Sequence, residues 1–144
     1  MLLAELGPEM AQFPDDDAVT KWAGMCPGNH ESAGKQKHGR TAPGNKWLRR
    51  ALVQAAHAAA RSKNTYLSAR FARLARGGKK RAAVAVGRSI LVAAYHILKD
   101  EVEYQDLGGD FFEKRNEAQT TRRLVKQLEH FGYAVELKRL PIAA

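Results

Sequence analysis

Apolar residues at helical spacing predict two amphipathic helices in the middle of the chain. After Asn45, a suitable N-cap, Leu48 and Leu52 begin an apolar face that continues along the segment. The segment from about residue 65 to 76 has the same periodicity. Because the Lys and Arg residues of both segments fall largely off these apolar faces, residues 45–81 are predicted to form basic helices.

The next segment, residues 82–99, is apolar on almost every side and rich in alanine. Such a pattern indicates a helix that is buried in the core. A membrane span is disfavoured because the apolar run is only 17 residues long, from Ala82 to Leu98, and carries Arg88 near its middle. We therefore predict a core helix and expect no membrane partner.

Amphipathic spacing returns near the C-terminus. Residues 117–131 have one apolar side, and Gly132 then stops the helical pattern. Apolar and polar residues alternate over residues 133–140, which predicts a short strand. A C-terminal helix and a short strand are thus expected within residues 116–140.

These patterns predict a mainly α fold, a compact bundle of about five helices with a Gly-rich serine loop and minor β structure. The length of 144 residues suits a single domain, residues 1–144, with one hydrophobic core. An apolar fraction of 44% is ordinary for a globular protein, so wholesale disorder is not expected.

The serine loop, residues 24–45, is rich in Gly and Pro and contains Ser32. This composition excludes long regular structure, although short extended pieces are expected. Lys and Arg side chains follow Glu31 within the loop, and no acid does. A hydroxyl among cations and backbone amides suits a phosphate, because both groups supply positive potential.

Positive charge is concentrated in one part of the chain. The net charge is +9, and 16 of the 24 Lys and Arg lie between Ser32 and Lys99, where none of the 15 Asp and Glu occurs. A polyanion is the simplest partner for such a segment, and nucleic acid fits best. The single Cys26 and the absence of a signal-peptide pattern fit a reducing bacterial cytoplasm. Because nucleic acid is the expected partner, we expect the protein to be associated with the nucleoid.

Several other chemistries are not supported by the sequence. The five His residues have no HxxxH pairing, and the run Asp15–Asp17 is better explained as the cap of a short helix, so no metal site is predicted. The motif around Ser32 is neither a nucleophile elbow nor a Walker loop. His30 and His38 are candidate bases for Ser32, although surface loop histidines are more common.

Two long motifs together resemble a known family. They are WAGMCPGNHESAGKQKHGRTAPGNKWLRRALVQAAHAA, residues 22–59, and KKRAAVAVGRSILVAAYHILKD, residues 79–100. Both resemble the C-terminal domain of the IS110 family of insertion-sequence transposases, the DEDD type guided by a bridge RNA. The resemblance extends from LLAELG near the N-terminus to DLGGDFFEKRN at residues 106–116.

This resemblance implies a serine-dependent DNA recombinase. Ser32 occupies the position of the serine that attacks a DNA phosphodiester and becomes covalently joined to the strand, as in other covalent catalysis. The surrounding cations are given roles by their local chemistry. Lys35, Lys37 and Arg40 would stabilise the charged transition state. Lys46, Arg49 and Arg50 would bind backbone phosphates, and such contacts give affinity without sequence choice.

The resemblance also implies further components. The resemblance implies that full-length members have an acidic, magnesium-binding N-terminal domain followed by a coiled coil. Neither is found in this sequence. No cofactor is therefore predicted for this chain, and magnesium belongs to that other domain. We expect a truncated copy or fragment that is inactive without the acidic domain. Its expected partners are DNA, guide RNA, and intact transposase subunits or further copies of itself.

Three interpretations follow. The first is a transposase C-terminal domain that contributes the nucleophile Ser32 to DNA cleavage and rejoining. The second is a non-catalytic nucleic-acid-binding remnant of a transposase. The third is a basic helical structural protein that binds nucleic acid.

Overall fold

The computed structural model of the chain is mainly α-helical, as predicted. It describes residues 2–7, 10–28, 30–32, 35–38 and 41–138, with the backbone alone at 30–32 and 35–38. The described part contains seven helices and two strands. In chain order they are α1 Leu2–Leu6, α2 Asp16–Trp22, β1 His30–Ser32, β2 Lys35–His38, α3 Lys46–Ala59, α4 Tyr66–Ala75, α5 Lys79–Asp100, α6 Phe111–Arg115 and α7 Glu117–His130.

Three helices, α2, α3 and α4, begin at a capping side chain. Asp15 accepts a hydrogen bond from the Ala18 amide at the start of α2, at 2.6 Å. Asn45 Oδ1 accepts from the amides of the second and third residues of α3, each at 3.0 Å. Thr65 caps α4 in the same way. Since each cap satisfies amides that have no partner inside the helix, these polar side chains fix the helix starts.

The chain divides into two compact units, residues 1–109 and 110–144. In the first unit, α5 is the central helix and packs against α2, α3 and α4. It starts at Lys79, three residues before the predicted core helix, and ends at Asp100. By length and composition α5 could cross a membrane. Its packing against three helices is that of a core helix.

A close approach between α5 and α3 occurs at Gly87. A Cβ atom there would lie 3.2 Å from the Leu52 carbonyl oxygen and 2.7 Å from Cε of Met25. Leu52 and Met25 are both buried in the main core cluster. A side chain here would displace the end of Met25 and press on the Leu52 backbone, so the glycine permits the close approach of the two helices.

The second unit contains α6 and α7. The α7 helix, Glu117–His130, matches the predicted C-terminal helix to within one residue. The strand expected over residues 133–140 does not form: residues 133–138 are irregular, and 139–140 lie outside the described residues. An alternating side-chain pattern makes a strand only where a neighbouring strand completes the backbone hydrogen bonds. Within the described part of this unit there is no such neighbour.

The connection that follows α5 is tied to the start of α4 by Asp106. Its Oδ1 atom accepts hydrogen bonds from the amides of Tyr66, at 3.0 Å, and Gly108, at 2.7 Å. Gly109 then donates its amide to the Asn64 carbonyl at 3.1 Å. The hydrogen bond from Tyr66, and then that from Gly108, hold the pKa of Asp106 below its usual value.

This carboxylate should make stability depend on pH in the acid range. The pKa of Asp106 is lower in the folded state than in the unfolded state, so its contribution is complete above the unfolded value of about 4 and is lost as the pH falls through the folded value. At pH 7, Asp106→Asn should lower Tm by a few degrees, and the difference from wild type should shrink towards pH 3. Thermal unfolding followed by circular dichroism tests this. Glu103→Gln, in the same exposed connection, is the control, and a Tm difference that is equal at both pH values would contradict the assignment.

Candidate functional site

The serine loop contains an antiparallel β-hairpin. In the backbone register, Ser32 is opposite Lys35, and His30 is opposite His38. The pairing shifts between His30 and Glu31, which leaves Lys37 without a register partner, as in a β-bulge. The short extended pieces expected in this loop are therefore present, and Ser32 is the last residue of β1 before the strands connect.

The hairpin is closed at its base by two glycines. A Cβ atom on Gly44 would lie 2.5 Å from Gly24 Cα and 2.6 Å from the carbonyl carbon of Ala23. Gly24 itself has a φ of +68°, a conformation that side chains disfavour. We call this contact the glycine neck. It brings together the two points where the hairpin segment leaves α2 and enters α3.

Further contacts fix both sides of the neck to the helices. The Asn45 amide donates to the Trp22 carbonyl at 3.3 Å, and Pro27 forms an isolated bridge with Thr41. On the side that leaves α2, Met25 is only 1% exposed and belongs to the main core cluster. Because Met25 is anchored in the core, the base of the hairpin has a defined position on the first unit.

The structure brings some of the predicted site residues together. Ser32 and Lys35 are register partners, and Lys37 lies at the bulge of the same hairpin. Arg40 lies outside the described residues. The roles of these four residues therefore stay predictions. The observation that bears on them is the backbone position of Ser32, Lys35 and Lys37 in the hairpin.

Three further predicted residues lie in the first two turns of α3, immediately after the neck. Lys46 and Arg50 are exposed, and Arg49 is half-buried. None of the three forms an ion pair with a carboxylate among the described side chains. Their positive charge is thus not neutralised by the described part of the protein, which leaves it available to a polyanion.

This cluster also contains an exposed aromatic residue that the sequence patterns did not single out. The side chain of Trp47, which lies between Lys46 and Arg49 in the chain, is 61% exposed. A large exposed aromatic side chain among cations is a feature of nucleic-acid-binding surfaces, because bases stack on rings. The sequence signal that could have identified Trp47 as an exposed residue was its position between charged residues, just after a helix cap.

The described residues do not contain a metal site. No group of three or more His, Cys, Asp or Glu side chains that could hold an ion occurs among them. Two members of the acidic run have other partners: Asp15 caps α2, and Asp17 forms an ion pair with Arg88 at 2.6 Å. The interpretation of this run as a helix cap is supported by the Asp15 hydrogen bond.

Comparison with protein families gives a match over the N-terminal part of the chain. The model of the family described as "Transposase IS116/IS110/IS902 family" matches residues 1–73, just over half of the chain. The match includes the hairpin, α3 and most of α4. Neither the curated proteins nor the solved structures gave a match. The chain belongs to the IS116/IS110/IS902 family of transposases.

Proposed function

We propose that this chain binds DNA during transposition and supplies Ser32 as the nucleophile for strand cleavage and rejoining. The observation that carries the proposal is the position of Ser32, opposite Lys35 at the connected end of a hairpin whose base is fixed to the core. Membership of a transposase family supports the same conclusion. A serine placed in this way can be presented to a phosphate while the helices bind the rest of the duplex.

The proposed reaction exchanges one phosphodiester for another. The Ser32 hydroxyl oxygen attacks phosphorus, a serine–phosphate bond forms, and the bond from phosphorus to one sugar oxygen breaks. The serine proton goes to a base, and the released sugar oxygen takes up a proton to become a hydroxyl. Attack of a sugar hydroxyl on the serine–phosphate bond reverses these steps. Because the number of phosphoester bonds is conserved, rejoining needs no nucleoside triphosphate.

Neighbouring groups in the loop would support this reaction. Lys35, Lys37 and Arg40 would stabilise negative charge on the phosphate oxygens in the transition state. His30 and His38, which are register partners, are the candidate proton acceptors. Magnesium would also take part in the proposed reaction. As the family resemblance implies, it would be bound by the acidic domain of full-length members, outside the described residues of this chain.

The cationic start of α3 would hold the DNA backbone near the hairpin. Lys46, Arg49 and Arg50 lie within two turns of the neck, and contacts from such side chains to phosphates release bound counterions. Affinity should therefore fall steeply as salt rises. Guide RNA and additional subunits would enter as further partners, as the family resemblance implies.

Charge reversal in α3 should weaken DNA binding. Arg49→Glu combined with Arg50→Glu replaces two attractive charges with two repulsive ones, so duplex affinity should fall at least about tenfold, and the dependence on salt should become shallower by about two phosphate contacts. Fluorescence anisotropy with a labelled duplex over a range of salt concentrations measures both. Arg122→Glu combined with Arg123→Glu makes the same change in net charge on α7 and is the control. Equal losses in the two double variants would show a non-specific charge effect instead.

Trapping of a covalent complex tests the catalytic part of the proposal. The chain is mixed with labelled duplex, magnesium and a full-length family member whose own motif serine has been changed to alanine. Under denaturing conditions, a labelled species should migrate with the combined mass of this 144-residue chain and the DNA strand joined to it. Salt-sensitive duplex binding without any such species would support the non-catalytic nucleic-acid-binding role. Binding that does not respond to salt would contradict both.

A further inference from the structure

A cavity in the first unit lies between α4, α5 and the connection that follows α5. Its volume is about 370 Å³. This value falls in the range of sites for small organic ligands, roughly 300–1,000 Å³. The cavity is separate from the hairpin and from the α3 cluster, since none of their residues lines it.

One part of the lining suits a flat, partly apolar group. Leu67 of α4 and Val92 and Ala93 of α5 supply aliphatic surface. Tyr66 and Tyr104 supply aromatic rings, and Tyr104 is 47% exposed, which places it at the rim. Burial, and then the Asp106 carboxylate, raise the pKa of Tyr104 above its usual value. Rings and aliphatic side chains together form the kind of surface on which a nucleobase stacks.

Two guanidinium groups line the same cavity. Arg88 is paired through Nη2 with Asp17, which offsets its charge. Arg70 donates from Nη1 to the hydroxyl of Tyr66 at 2.7 Å, and no carboxylate pairs with it among the described side chains. The Nε atom of Arg70 is buried and donates to no described group. A buried donor without a partner is energetically unfavourable. If the Arg70 side chain turned towards an acceptor in the cavity, it would lose no hydrogen bond at Nε.

We propose that this cavity binds one unpaired nucleotide of a nucleic-acid strand. The base lies against Tyr104 and the aliphatic wall, and Arg70 donates hydrogen bonds to its phosphate or to a base carbonyl. An apolar ligand would leave the guanidinium group without an acceptor, and a base pair within a duplex has no exposed ring face to stack. The site rests on the proposed nucleic-acid binding, to which it adds recognition of an unstacked base.

Binding of single strands to cavity variants tests this proposal. Labelled single-stranded DNA and RNA of one sequence, and the corresponding DNA duplex, are titrated with the full chain while anisotropy is recorded. Tyr104→Ala removes the rim ring, and Ala93→Phe fills the cavity. Each should weaken single-strand binding about tenfold or more and leave duplex binding unchanged, because loss of one stacked base has an effect of that size. Tyr104→Phe keeps the ring and should bind as the wild type does.

The controls separate failure of this site from failure of the proposed function. Tyr133→Ala removes an exposed tyrosine of the second unit and should change neither affinity. A larger loss for RNA than for DNA would identify RNA as the source of the nucleotide, and equal losses would show that the site accepts both. Wild-type single-strand affinity in both cavity variants, or binding of duplex alone by the wild type, would overturn the cavity proposal and leave duplex binding standing. Failure of the wild type to bind any nucleic acid would overturn both.

Discussion

Replacement of Ser32 with alanine is expected to abolish the covalent protein–DNA species and to leave duplex affinity unchanged. The hydroxyl oxygen is the atom that would bond to phosphorus, and alanine has no group in its place. Loss of a nucleophile typically lowers the rate by about 10³-fold or more, so the labelled band should disappear at every time point. Non-covalent affinity should persist, since it arises from phosphate contacts to cationic side chains.

The matched control for this experiment is Ser62→Ala. Ser62 follows α3, is exposed, and donates its backbone amide to the Ala59 carbonyl. It should form the covalent species at the wild-type rate. A covalent species that persists in Ser32→Ala would show that another residue is the nucleophile and would remove the catalytic part of the proposal.

A methyl group at Gly44 is expected to destabilise the fold and to reduce formation of the covalent species together. The Cβ atom of alanine would overlap the backbone of Gly24 and Ala23, and backbone atoms cannot move aside as the end of a flexible side chain can. Overpacking of this kind typically costs about 1–3 kcal/mol. Because the same contact sets the base of the hairpin, the position of Ser32 should change as well.

Thermal unfolding and the covalent trapping assay measure these two effects. Gly77→Ala is the control, since a Cβ atom at Gly77 meets only the Leu74 carbonyl oxygen, at an ordinary 3.6 Å. That variant should match the wild type in both assays. If Gly44→Ala retained the wild-type Tm and the wild-type rate, the glycine neck would not restrain the hairpin.

Local sequence patterns predicted the elements whose determinants are local. Helices α3 and α4 begin and end close to their predicted limits because each has an apolar repeat that follows a capping side chain, and α7 does so because its apolar repeat is stopped by Gly132. The single apolar segment likewise predicted α5, which begins with the basic residues Lys79 to Arg81 directly after the Gly77-Gly78 break. Short extended pieces around Ser32 were anticipated, although their register was not.

Features that depend on distant residues were not predictable in the same way. Asp106 meets Tyr66 across 40 positions of the chain, and Gly87 meets Leu52 across two helices. The cavity beside Tyr104 arises only when α4, α5 and the later connection come together. For the opposite reason, alternation over residues 133–138 was misleading, since strand formation requires a partner that the local pattern cannot reveal.

The glycine neck also bears on how this part of the protein can change in length. Because Gly44 contacts Gly24, the residues between them form a loop whose two ends are held together. Doubling the length of such a loop adds only about 0.6 kcal/mol of closure entropy. Insertions or deletions between Pro27 and Thr41 would therefore alter how far the serine reaches from the helices, while the spacing of α2 and α3 stays the same.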